Sequence, residues 1–106
     1  YMDRLQAVVG VSQNGNEIPA KYSLSQNYPN PFNPVTNITF ALPVNGQVSL
    51  KVFDVMGREV ADLVDKQLTA GSYKVNFDAS RLSSGVYFYR LTTGEFTDTK
   101  KLMLIK

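Results

Sequence analysis

Cysteine, histidine and tryptophan are all absent from this 106-residue chain. Without cysteine there is no disulfide, no thiolate zinc ligand and no thiol nucleophile, and without histidine there is no imidazole-based triad. These absences remove the commonest chemistry of small domains, so no catalytic residues and no enzyme activity are expected. They do not fix a compartment, because an exported chain omits thiols as readily as a cytosolic one keeps them reduced. Charge of one sign is scarce too: 11 Lys and Arg against 9 Asp and Glu leave a net +2. Acids and bases are interleaved, so there is no concentrated basic face for nucleic acid. No apolar run approaches the roughly 20 residues of a membrane-spanning helix. No basic-apolar-small signal layout follows Tyr1, so an export signal is expected upstream, and the chain reads as the end of a longer protein. Metal and cofactor are likewise not expected. Asp54, Asp62, Asp65 and Asp78 are spread over separate turns without the spacing of a calcium loop.

What is present is a period of two. Ile38, Phe40 and Leu42 alternate with polar or small neighbours, as do Val48, Leu50 and Val52, and then Tyr73, Val75 and Phe77. Each set stands on one face of a strand, with one face core and the other wet. Val86 to Leu91 is apolar at most positions and reads as a central strand covered on both faces. Residues 58 to 64 carry Val60, Leu63 and Val64 at helical spacing but are too few for an independent helix, so they are assigned to a strand. Asn45-Gly46 is a two-residue hairpin signal, since both tolerate the positive φ of a type I′ turn. Strands 38–42 and 47–54 are therefore expected to pair. With Tyr22 to Ser25 and Phe96 to Ile105 added, about seven strands result. Turn signals every 8–12 residues then indicate an all-β, immunoglobulin-like antiparallel sandwich.

Residues 1–21 differ from the rest. Residues 1–11 suit the last strand of a preceding domain, although Leu5, Ala7, Val9 and Val11 also alternate acceptably for a strand of this sandwich. Ser12 to Lys21 is polar and rich in turn formers, and reads as a linker. The division expected is 1–21 as domain end and linker, and 22–106 as the sandwich.

Two segments stand out. Tyr28-Pro29-Asn30-Pro31-Phe32-Asn33-Pro34 holds three of the five prolines; it should be stiff and non-helical, with Phe32 in the core and the Asn side chains capping loop amides. Gly85-Val86-Tyr87-Phe88-Tyr89-Arg90-Leu91 leads through Gly94 into a last strand ending Lys100-Lys101-Leu102-Met103-Leu104-Ile105-Lys106. A strand at a sheet edge leaves backbone groups free for strand addition by a partner, and lysines there also protect the edge from aggregation.

With Val52-Phe53-Asp54-Val55-Met56-Gly57-Arg58-Glu59-Val60 and Gly71 between them, these motifs in order resemble the type A C-terminal sorting domain of the type IX secretion system, the Por secretion tail family. The resemblance covers Tyr22 to Lys106, and only Met103 departs, where small β-branched residues are more usual. It implies a non-catalytic sorting signal for a covalently attached upstream cargo. Export would run through the periplasm and the outer-membrane type IX machinery to the cell surface or medium, with a sortase-like peptidase cutting upstream. The recognition residues it implies are Gly85, Val86, Tyr87, Tyr89, Gly94, Lys100, Lys101, Leu102, Leu104 and Lys106. Asn30, Pro31, Phe32, Asn33, Pro34, Gly57 and Gly71 would be structural. Cleavage needs exposed, extended backbone, which points to Asn14, Gly15, Asn16 and Ala20. A monomer is expected. Two other readings stay open: a carbohydrate-binding accessory module using Tyr22, Tyr28, Tyr73, Tyr87 and Tyr89 as a stacking surface, and a structural immunoglobulin-like module of the flagellar hook-capping kind.

Overall fold

The structure is a computed structural model that describes the backbone of residues 8–14 and residues 18–105 in full. Among the described residues, eight strands form two four-stranded sheets: β1 (Val8–Asn14), β2 (Ser23–Leu24), β3 (Val35–Leu42), β4 (Gly46–Phe53), β5 (Glu59–Leu68), β6 (Gly71–Asp78), β7 (Gly85–Thr93) and β8 (Phe96–Leu104). One sheet has the order β1-β6-β3-β2 and the other β5-β4-β7-β8. All the strand pairs are antiparallel. The fold is the expected all-β, immunoglobulin-like sandwich.

The period of two sets the core. Ile38, Phe40 and Leu42 face inward from one sheet beside Tyr73, Val75 and Phe77, and Val48, Leu50 and Val52 face them from the other beside Tyr89 and Leu91. Phe40 and Tyr73 are cross-strand partners whose rings stack at 5.4 Å. Each fully buried side chain of this size contributes roughly 1.5–3 kcal/mol of transfer free energy. Tyr87 and Tyr73 each carry the hydroxyl back to a backbone carbonyl four residues upstream, Ser83 and Thr69, both at 2.7 Å. These are tyrosine corners of the kind found in immunoglobulin-like sandwiches.

Strand pairing departs from the sequence reading at Asn45-Gly46. β3 does not pair with β4 but lies in the opposite sheet, and neither Asn45 nor Gly46 has positive φ. The dipeptide carries the chain from one sheet to the other instead of closing a hairpin. Asn45 Oδ1 accepts a hydrogen bond of 2.7 Å from the Ala70 amide on the β5-to-β6 link, which crosses between the sheets at the same end. The side chain thus joins two crossovers. The true hairpin turns are β4–β5 and β7–β8. In the first, Asp54 Oδ1 accepts from the Met56 and Arg58 amides at 2.9 and 3.0 Å, and Gly57 takes φ 86°. In the second, Gly94 takes φ 55° at the first central position, the one a type II′ turn gives to glycine.

The helical spacing of Val60, Leu63 and Val64 has a different cause. The β4–β5 register shifts between Leu50 and Lys51, and this bulge turns both Leu63 and Val64 into the core. Strand β7 is central in its sheet, yet only its inner face is covered: Arg90 and Thr92 are exposed on the other. At the start of the chain, Val8–Asn14 pairs with β6 from Val8 opposite Phe77 to Asn14 opposite Ser72. Ser12 to Asn14, placed in the linker by composition, are therefore strand; polar residues suit a sheet edge, where the backbone does the pairing.

Candidate functional site

The two segments singled out by sequence meet at one edge of the sandwich. β8 is the edge strand of its sheet, but its free side is partly occupied. The Phe32 amide donates to the Met103 carbonyl at 3.0 Å and the Ile105 amide donates to the Phe32 carbonyl at 2.9 Å, a parallel bridge. Asn30 Oδ1 accepts from the Met103 amide at 3.1 Å, and Gln26 Nε2 donates to the Lys101 carbonyl at 2.6 Å. The backbone from Lys101 to Ile105 is thus capped by Gln26 and the proline-rich segment, which corrects the expectation of a free edge along its whole length.

That segment is held rigidly. Phe32 is buried, with its ring 6.2 Å from Phe77. Buried Asn27 donates to the Pro29 carbonyl and to Thr36 Oγ1, both at 3.0 Å, and Thr36 Oγ1 donates to the Pro29 carbonyl at 2.9 Å. The Pro34 carbonyl accepts from the Ala79 amide. Pro31 and Asn33 are exposed, and the Asn33 side chain makes no hydrogen bond among the described residues.

The recognition residues implied by resemblance divide by strand parity. Tyr87, Tyr89, Leu102 and Leu104 point into the core and present no side chain to a partner. The Tyr89 hydroxyl donates to the Ser25 carbonyl at 2.6 Å, and burial pushes its pKa up to about 12. Burial also raises Tyr87, with Asp54 nearby adding to it. Gly85 begins β7 opposite Leu104, and Gly94 serves the turn, where an added Cβ would lie 3.5 Å from the Tyr22 hydroxyl. Lys100 and Lys101 point to opposite faces of one strand and do not form a single patch: Lys100 lies across from Tyr89, Lys101 across from Phe88. Lys106 lies outside the described residues, as do Gly15 and Asn16; Asn14 ends β1, and Ala20 is exposed in a bend. Gly71 is buried where β6 begins.

Of the outward row, the sequence reading named Val86 and Lys101 and missed the rest. Opposite in parity to Tyr87, Tyr89 and Leu91 stand Val86, Phe88 and Arg90, flanked by Phe53 and Lys51 on β4 and by Lys101 and Met103 on β8. The Arg90 guanidinium lies over the Phe53 ring, with Cζ 4.8 Å from its centroid. Lys51 Nζ lies 3.3 Å from Glu59 Oε1. The alternation itself was the signal that could have found them.

The tyrosines do not make a stacking platform. Tyr73, Tyr87 and Tyr89 are core, Tyr22 stacks on Phe96 at 5.0 Å, and Tyr28 alone of the five is widely exposed, at 80%. Asp54 is held below the usual carboxylate range by the hydrogen bonds it accepts from Arg58 and Met56, a turn-forming role. Among the described residues, no group of three or more His, Cys, Asp or Glu is placed to hold a metal ion.

Fold and edge together define a small immunoglobulin-like module whose last hairpin is braced by a proline-rich segment. The family model of the secretion system C-terminal sorting domain matches residues 26–106. The chain therefore belongs to that family, the C-terminal sorting domains of type IX secretion. No curated protein matches the chain.

Proposed function

We propose that this sorting domain is a non-catalytic address for a covalently attached upstream cargo, read by the outer-membrane type IX machinery on the outward side of the β7–β8 hairpin. The observation that carries this reading is the junction at Phe32. It joins the family match's first motif to its last strand through two backbone hydrogen bonds, so that segments far apart in sequence build one rigid edge. A partner that added a strand along residues 101–105 would have to displace Asn30 and Phe32. Side chains on the outer face need no such displacement. Upstream cutting by a sortase-like peptidase falls, in this reading, between β1 and β2, where Ala20 is exposed. Export then ends at the cell surface or in the medium.

Removing Lys100 to Lys106 is a poor test, because Leu102 and Leu104 belong to the core and their loss would unfold the domain. A fluorescent cargo fused to residues 1–106 in a host with a type IX system is expected to leave the periplasm, whereas the cargo alone stays. Lys101→Glu, with folding checked by near-UV circular dichroism, should reduce export without unfolding the domain. Retention of the unmodified fusion would reject the reading. Mass spectrometry of the exported cargo should find a new C-terminus within residues 14–20.

A further inference from the structure

The outer face of the β5-β4-β7-β8 sheet holds an arrangement that neither packing nor the sandwich requires. Lys51 and Arg90 are direct cross-strand partners, and like charges in that position repel. Lys51 is paired with Glu59 at 3.3 Å and lies across from Asp62 on β5. Arg90 makes no ion pair with any described residue, and its neighbour on β8 is the uncharged Thr99. Its guanidinium lies over the Phe53 ring, and its N–H edge makes no hydrogen bond to any described residue. That edge is the part of arginine that matches a carboxylate with two parallel hydrogen bonds.

Lys51, Phe53 and Arg90 line a groove of about 330 Å³ together with Glu59 and the hydroxyls of Ser49 and Thr92. Phe53 and Phe88 are cross-strand partners, as are Val86 and Met103, so an apolar strip runs from Arg90 along the same face, with Lys101 across from Phe88 at its side. Val86 and Arg90 are four residues apart on one strand, about 13 Å at 3.3 Å per residue, the span of a short extended peptide.

We propose that this face is a docking surface for a carboxylate-bearing, partly aromatic segment of a partner protein, its carboxylate held by Arg90 and its apolar side chain on Phe53 and Phe88. The inference rests on the reading of the chain as a sorting domain and names the chemistry of the surface that reads it. With Lys51 paired to Glu59, Arg90 is the cation left for a negative partner, and such complementarity sets partner choice and encounter rate more than raw affinity. The Phe53 ring biases Arg90 towards this position before the partner arrives.

The test is an NMR titration of the full chain with an acetylated, amidated peptide of alternating glutamate and phenylalanine, beside its glutamine counterpart. Amide shifts are expected at residues 49–53 and 88–92. The glutamine peptide and the Arg90→Gln variant should each bind roughly five- to tenfold more weakly, the loss of one charge-assisted contact at a partly exposed site. Arg90→Lys, which keeps the charge but not the fork, should fall between the two. Shifts spread evenly over the lysines of the whole surface, or equal binding of the two peptides, would overturn the proposal. So would phosphatidylglycerol vesicles moving these amides while the peptide does not, since the groove would then serve a lipid anion. The same variant in the export fusion separates the two ideas. Export with no peptide binding sinks the docking surface and leaves the sorting function standing. Peptide binding with no export of the unmodified fusion does the reverse.

Discussion

At the scale of single residues, Tyr89 carries the clearest consequence of burial. It is fully enclosed and donates to the Ser25 carbonyl across the sandwich. In the unfolded chain its phenol ionises near 10, whereas in the fold it holds its proton to about 12. Between those values the unfolded state binds fewer protons, so stability is complete below pH 10 and falls as pH rises towards 12. Two units at about 1.4 kcal/mol each set the loss on the order of 2–3 kcal/mol. Tyr87 shifts in the same direction and adds to the same window. Urea denaturation at pH 8 and at pH 11.5 should show this drop, and Tyr89→Phe should make it smaller. At pH 8 that variant should lose only about 1 kcal/mol, the net value of an ordinary hydrogen bond. An alkaline drop as large in Tyr89→Phe as in the unmodified chain would show that other groups govern it.

At the scale of elements, the capped β8 edge makes two separable predictions. Asn30 is exposed and contributes one acceptor to the Met103 amide. Asn30→Ala should therefore cost less than about 1 kcal/mol. It should also speed hydrogen exchange at Met103 while Ile105, bonded to the Phe32 carbonyl, stays protected. Phe32 is different, because it fills core space against Phe77. Phe32→Ala should destabilise by about 3–5 kcal/mol and release the whole strap. Met103 as protected in both variants as in the unmodified chain, or Ile105 equally protected in the two, would mean that the strap does not hold the edge. The strands behind this edge were legible from alternation alone, since each core residue of β3, β4 and β6 sits where a period of two puts it. Their partners were not. Asn45-Gly46 satisfies the local rule for a hairpin, but the burial of β3 and β4 on facing sheets outweighs two residues of turn preference, and the Asn45 side chain joins Ala70 instead. The cap on β8 was equally hidden, because Phe32 and Met103 are brought together only by the closed sandwich. The outward place of Arg90 follows from the alternation of β7, but its contact with Phe53 depends on the pairing of β4 with β7, which local pattern does not set.

At the scale of the whole molecule, the question is which part of the chain the sandwich needs. The described core runs from Leu24 to Leu104, and the family match begins at residue 26. β1 lies before both and is held at the edge of its sheet by β6. The facing rows of Ile38, Phe40 and Val75 against Leu50, Val52 and Leu91 belong to strands that stay in place without it. A chain lacking residues 1–17 should therefore still unfold cooperatively, with a modest loss of stability. Its surface, however, would change in kind. β6 would become an edge of eight residues, Gly71 to Asp78, with backbone donors and acceptors unpaired along it, and such an edge is a template for pairing with another chain. Light scattering is expected to find the intact chain monomeric and the shortened one self-associating as concentration rises. Adding a peptide of residues 8–14 should reverse that association, because it restores the missing partner of β6. A shortened chain that stays monomeric at every concentration would mean that the β6 edge is protected by its own side chains, and that β1 is dispensable to the surface as well as to the core.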